Sequence, residues 1–189
     1  MEHVEPLRDP RQIAAIKAIL RGQNLRDAAW FVLGINTGLR VGDLLRLTVT
    51  DVRISPSRWR DRVSVREQKT GKVKDFPLSE TARKALQEYL STRPEAAPSD
   101  PLFPSRKWGQ PLSRKAAWAV LQRAAKMAGV TDAIGTHSMR KTFRYWAFKS
   151  GADLALIQSM LNHSSPATTL AYIGITRDDR DAVYRGLNL

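Results

Sequence analysis

The chain has no cysteine, and acidic residues are scarce: 18 Asp and Glu stand against 31 Lys and Arg. The missing thiols exclude disulfides, thiol nucleophiles and cysteine-ligated zinc together. They fit a reducing compartment, and cytoplasmic residence is expected. No apolar run approaches the length of a membrane span, and the start, Met1-Glu2-His3-Val4-Glu5-Pro6, lacks a secretory pattern, so a soluble protein with no membrane partner is expected. Histidine is also scarce. Of three in the chain, two, His137 and His163, fall in one C-terminal segment. They have no carboxylate or thiol at ligand spacing, so neither a metal nor a cofactor is expected.

The shortage of acids leaves a formal net charge of +13 and a pI near 10.6. That balance favours a polyanionic partner, most simply nucleic acid. The charge is also clustered: Thr136 to Gly151 holds Arg140, Lys141, Arg144 and Lys149 and no acid. With 189 residues and 42% hydrophobic composition, the chain can bury the core of one domain.

Hydrophobic period then orders the chain. Asp9-Pro10 reads as a helix start, and Ile13, Ile16 and Leu20 keep the helical period until Gly22. An apolar helix is expected over 25–36, broken by Thr37-Gly38, with a short helix over 40–47. The period then falls to two. Val52 and Ile54, Val63 and Val65, and Val73 and Phe76 predict a small antiparallel sheet turning at Thr70-Gly71. Ser79 and Ser113 read as caps of two further helices, with a proline-rich surface loop over 94–104 between them. Helical stretches over 137–149, 153–161, 166–173 and 178–187 complete the pattern. The fold class expected is α+β, mostly helical with a small sheet.

Three clusters have chemical potential. Arg40 follows a glycine turn at a helix start, where free N–H groups already favour phosphate, and Asp43 stands one turn on to orient its guanidinium. Lys69 sits on a hairpin, able to swing toward a leaving alkoxide. His137 and Arg140, three apart on a helix, share a face and are followed by His163 and Tyr172. Taken singly, each has an ordinary explanation: a helix cap, a surface arginine, a solvated turn lysine, a core tyrosine. Together they suit attack of a tyrosine hydroxyl on a phosphodiester, with arginine holding the phosphate and histidine or lysine moving protons.

In this order, Thr37-Gly38-Leu39-Arg40, Lys69-Thr70-Gly71-Lys72, His137-Ser138-Met139-Arg140, Leu161-Asn162-His163 and Tyr172 resemble the catalytic domain of the tyrosine recombinases, the phage integrase family. The resemblance runs from about Pro6 to Ile175. It implies a mostly helical fold with a small three-stranded antiparallel sheet. It implies that Tyr172 attacks the scissile phosphate and forms a 3′-phosphotyrosyl link. Arg40 and Arg140 would clamp the non-bridging oxygens, Lys69 would protonate the leaving 5′-oxygen, His137 would serve as general base or proton shuttle, and His163 would donate to the phosphate. Two positions depart from the family pattern: Met139 replaces a usual leucine and Asp43 a usual glutamate, both keeping the side-chain character. Most members also carry an N-terminal helical domain on the other face of DNA, so this chain is either a minimal recombinase or a piece of a longer protein.

The resemblance therefore implies a site-specific recombinase of the mobile-element kind, performing integration, excision or inversion. Type IB topoisomerase-like relaxation and non-catalytic DNA binding stand as alternatives. Double-stranded DNA is the expected partner, bound by Lys141, Arg144, Lys149, Arg114 and Lys115, with Arg106, Lys107 and Lys126 as further candidates. The protein is expected to be a monomer in solution and a homo-tetramer on DNA, nucleoid-associated, and open to accessory DNA-bending or directionality proteins. Residues 1–175 read as the catalytic, DNA-cleaving domain. Residues 176–189, locally neutral with Val183 and Leu187 four apart, read as a helical tail docking in cis or on a neighbouring subunit.

Overall fold

A computed structural model describes residues 4–106, 109–161 and 184–186. Its first helix, α1 (Pro10–Gln23), starts as the sequence predicts: Asp9 accepts from the Arg11 N–H and proline takes the first turn. It passes through Gly22 and ends at Asn24, whose backbone turns extended. Asn24 closes α1 with its own N–H on the Leu20 carbonyl. It also opens α2 (Leu25–Thr37) by accepting from the Arg26 N–H.

α2 is the axis of the molecule. Trp30, Phe31 and Leu33 are fully buried, and the helix packs against α1, α5 (Glu80–Ser91) and α7 (Thr136–Lys149). It stops at Gly38, which adopts φ 60°, the left-handed region. A Cβ on Gly38 would lie 2.5 Å from Phe143 Cδ1. Gly38→Ala is therefore expected to cost at least about 1–2 kcal/mol, through strain and the clash together, as read by urea denaturation.

The short helix expected over 40–47 is divided. Arg40 is the extended N-cap of α3 (Val41–Leu45). Asp51 then accepts from both the backbone N–H and the hydroxyl of Thr48, starting a separate turn, α4 (Val49–Val52). Val52 is thus a buried helical residue and not part of a strand.

Two antiparallel ladders follow. β1 (Arg53–Ser55) pairs with β2 (Arg58–Trp59), and β3 (Arg62–Arg66) pairs with β4 (Val73–Pro77). Among the described residues these replace the single three-stranded sheet expected. The first hairpin is irregular at Arg53 and Ser55, and Arg60 ties it back to α4 by donating to the Val52 and Thr50 carbonyls. The second ladder is regular, with Val63 opposite Phe76 and Val65 opposite Lys74. Its inward residues are Val63, Val65, Lys74 and Phe76, while Val73 is exposed. Residues three apart cannot share a strand face, so Val73 and Phe76 point to opposite sides.

The proline-rich segment runs over the surface, as expected, up to Pro101 and then turns inward. Leu102 and Phe103 are fully buried, Phe103 stacks on Tyr89 at 6.2 Å between centroids, and the Leu102 N–H donates to the Leu47 carbonyl. α6 (Arg114–Met127) begins at the Ser113 cap, and α8 (Leu154–Met160) at Asp153. The start of the chain is strapped across α7. Leu7 N–H donates to Thr142 Oγ1, Trp146 Nε1 to the Leu7 carbonyl, and Lys141 Nζ to the Val4 carbonyl. No described helix is long and apolar enough to cross a membrane.

Candidate active site

Gly38 reverses the chain at the end of α2, and Arg40 emerges two residues later at the N-cap of α3. The β3–β4 turn approaches from one side, tied down by the Gln68 N–H on Asp43 Oδ1 at 3.0 Å. α7 approaches from another side with His137 in its first turn. These elements enclose a pocket of about 370 Å³ lined by Arg40, Gly42, Gln68, Lys69, Arg114 and His137. Arg40, Lys69 and His137, remote in sequence, are thereby brought together. Arg140 lies beneath them.

The floor rests on a residue absent from the sequence-based set. Glu67 is fully buried, with Oε1 2.6 Å from Arg40 Nη1 and 3.7 Å from Arg140 Nη1, while Thr70 Oγ1 donates to Oε2 at 2.7 Å. One carboxylate thus sets the separation of two guanidinium groups. Burial pushes its pKa up, but hydrogen bonds from Arg40 and Thr70 and the charges of Arg40 and Arg140 outweigh this and hold it below the usual carboxylate range. Asp43, expected to orient Arg40, instead accepts from Arg46 Nη2 at 2.8 Å and from Gln68 N–H. Lying on α3, it faces the β3–β4 turn, and Glu67 takes the role expected of it. The signal for Glu67 lies in the period: Val63 and Val65 face inward on β3, Glu67 continues that alternation just past its end, and a buried carboxylate there needs a cationic partner.

Arg140 is almost wholly enclosed, at 2% exposure, and is fixed by backbone. Its Nη1 donates to the Gly38 carbonyl at 2.6 Å and its Nη2 to the Leu161 carbonyl at 2.9 Å. Burial and the neighbouring Arg40 pull its pKa down to about 10, which leaves a cation at neutral pH. His137 is exposed toward the pocket. Partial desolvation, then the charges of Arg140, Arg144, Lys141 and Arg40, lower its pKa below the usual histidine value. At neutral pH it is a neutral imidazole, able to accept a proton. Lys69 is exposed on the turn. His163 and Tyr172 lie outside the described residues.

The expected DNA-contacting cations separate into two groups. Lys141 and Arg144 are buried, at 6% and 4% exposure, and Lys141 donates to the Val4 carbonyl. They face the protein interior, not a ligand surface, because α7 turns this part of its cationic run toward the rest of the fold. Lys149 is exposed, with Nζ 5.8 Å from the Tyr145 ring centroid. Arg114 and Lys115 are exposed at the start of α6. Arg114 folds over Gly42 so closely that a Cβ there would meet its Nη2 at 2.3 Å, which places the guanidinium in the pocket wall. Arg106 and Lys126 are exposed, and Lys107 lies outside the described residues.

The pocket thus gathers the Arg40 and Arg114 guanidinium groups, the His137 imidazole and the exposed Lys69 side chain, with Arg140 held close by through Glu67. Comparison with known proteins identifies its class. The model of the phage integrase family matches residues 8–178. The chain belongs to the phage integrase family. It is 37% identical over 185 residues to the probable integrase/recombinase YoeC of Bacillus subtilis, covering 98% of this chain and 97% of that one. It is 36% identical over 166 residues to the tyrosine recombinase XerD of Corynebacterium glutamicum, covering 86% of this chain and 53% of XerD. The crystal structure of a XerH site-specific recombinase bound to its palindromic difH substrate superposes with a TM-score of 0.76 at 22% identity, over 92% of this chain and 49% of that one. The chain thus spans about half the length of XerD and XerH. The fold is that of a tyrosine recombinase catalytic domain, and the reaction class is site-specific tyrosine recombination. Topoisomerase-like relaxation and non-catalytic binding are not favoured.

Proposed function

We propose that this recombinase domain cuts and rejoins double-stranded DNA through a 3′-phosphotyrosyl intermediate at Tyr172. The observation that supports this most directly is the convergence of Arg40 and Arg140 on Glu67, beside a pocket lined by Lys69 and His137. A phosphodiester transition state gathers negative charge on its equatorial oxygens, so cations placed before the reaction begins lower its energy without reorganising. Arg40 and Arg140 take those oxygens. Lys69, on an exposed turn, delivers a proton to the leaving 5′-oxygen. His137, held neutral, accepts or relays the proton of the Tyr172 hydroxyl, and His163 donates to the phosphate. The covalent link retains the energy of the broken phosphodiester, so resealing needs no nucleotide cofactor.

XerH, with the same fold, is bound to DNA in its solved structure. Arg114, Lys115 and Lys149 are exposed cations suited to the DNA backbone, and affinity should fall steeply with salt. Residues 1–175 form the cleaving domain, and 176–189 supply a tail that docks in cis or on a neighbouring subunit. Assembly on DNA is a homo-tetramer, aided by accessory bending or directionality proteins, in the nucleoid of the cytoplasm.

The test needs no knowledge of the target site. Purified protein is mixed with supercoiled plasmid in EDTA at low salt, quenched with SDS, and assayed for a protease-sensitive covalent adduct. The wild type is expected to form it, and Tyr172→Phe is expected to form none while binding DNA normally. An adduct that persists in Tyr172→Phe would move the nucleophile elsewhere, and strict magnesium dependence would refute the metal-free mechanism.

A further inference from the structure

Lys74 is the one buried lysine of the β3–β4 ladder, at 6% exposure, and the reaction above does not use it. Its Nζ donates to the Thr37 carbonyl at 2.6 Å. The next carbonyl in the chain, that of Gly38, accepts from Arg140 Nη1, also at 2.6 Å. Two cations from different elements thus hold two successive carbonyls of the turn that leads into Arg40. Two aromatic rings lie near the ammonium position, with Nζ 5.9 Å from the Phe76 ring centroid and 5.6 Å from that of Phe143. Phe143 in turn lies against Gly38. We propose that Lys74 is a positioning residue for strand cleavage: from beneath the pocket it sets the Thr37–Gly38 turn, and so Arg40, where the scissile phosphate is received. This rests on reading the pocket as the phosphate site.

The electrostatic setting ties that role to occupancy. Arg140 and Arg144 face Lys74 from α7, Arg40 from the N-cap of α3 and Glu67 from the end of β3, while α2 presents only the neutral Thr37 carbonyl. Burial first, then the charge of Arg140, brings its pKa down to about 7, against the partial opposition of Glu67. An amine and an ammonium both donate to the carbonyl, so the hydrogen bond survives either state. A phosphate anion in the pocket favours the ammonium. Anion binding therefore takes up a proton at and above pH 7, and affinity weakens as pH rises through that range. His137 titrates below its ordinary 6.5 and is distinct from this window.

Lys74→Met keeps the apolar stem and removes the donor, whereas Lys74→Arg keeps a donor. In single-turnover cleavage, Lys74→Met should be slower by about tenfold or more with duplex affinity within about threefold of wild type, and Lys74→Arg should recover most of the rate. Inorganic phosphate, followed through the arginine side-chain NMR signals, supplies an arm independent of cleavage. Lys74→Met should bind it about tenfold more weakly and lose the pH dependence above 7. A measurement on the wild type alone covers a variant that does not fold: the Lys74 amine should titrate near 7 in the free protein and at least about one unit higher with phosphate bound.

Cleavage and phosphate binding by Lys74→Met within about threefold of wild type would overturn the assignment, whatever its melting temperature. So would a Lys74 titration that phosphate does not move. A wild type that cuts no DNA, while Lys74→Met still weakens phosphate, would overturn the proposed reaction and leave Lys74 in place. No phosphate binding to the wild type would overturn both.

Discussion

Replacing Glu67 with alanine is expected to destabilise the fold by about 3–5 kcal/mol, the usual cost of stranding a buried charge. The carboxylate is fully buried and stands between Arg40 at 2.6 Å and Arg140 at 3.7 Å. Without it, Arg40, Arg140 and Lys74 lose the carboxylate whose charge all three feel. Urea denaturation at pH 7 reads the effect, and a loss under about 1 kcal/mol would mean that Glu67 is not the counter-charge. The pH dependence has a definite sign. The Glu67 pKa is lowered in the fold, so its contribution is present above the unfolded value near 4.5 and is lost as pH falls through the folded one. Wild type should lose stability along this acid limb and Glu67→Ala should lose less. Added phosphate should restore part of the variant's stability, because it returns negative charge to the same place.

Arg140→Ala is expected to lower strand cleavage by about 10²–10³-fold, the scale of losing one transition-state donor. Rigidity is the reason for so large an effect. The Gly38 and Leu161 carbonyls hold the guanidinium in one orientation, so it does not have to be ordered when the phosphate arrives. The substitution also leaves those two carbonyls without this donor, at about 1–3 kcal/mol for each group left unsatisfied. Single-turnover assays should therefore be run well below the variant's melting temperature. Cleavage within about tenfold of wild type, on folded protein, would remove Arg140 from the proposed clamp.

Much of this arrangement is legible in the sequence. Asp9, Asn24, Ser79, Ser113 and Asp153 act through local hydrogen bonds, so helix starts were accessible from short stretches of sequence. Arg40, Lys69 and His137 stand out by their order in a family pattern, and all three line one pocket. What the sequence left obscure depends on which way a side chain faces. Lys141 and Arg144 resemble surface cations in composition, yet tertiary packing encloses them. Lys74 lies on the inward row of a ladder whose register follows from pairing across 62–77, and Glu67 lies just past the end of β3; apolar period alone, read from Val73 and Phe76, does not say which residues of the returning strand face inward. Leu102 and Phe103 are surrounded by prolines, which signal a loop but not its depth.

The strap formed by residues 4–7 couples the chain's leading segment to α7. Leu7 is gripped through both its N–H and its carbonyl by α7, and Val4 through its carbonyl. Tension applied ahead of residue 4 would be carried to the same helix that presents His137 and Arg140, through Lys141, Thr142 and Trp146. A tag or another protein module joined at that end would sit one strap away from the helix that bears His137 and Arg140.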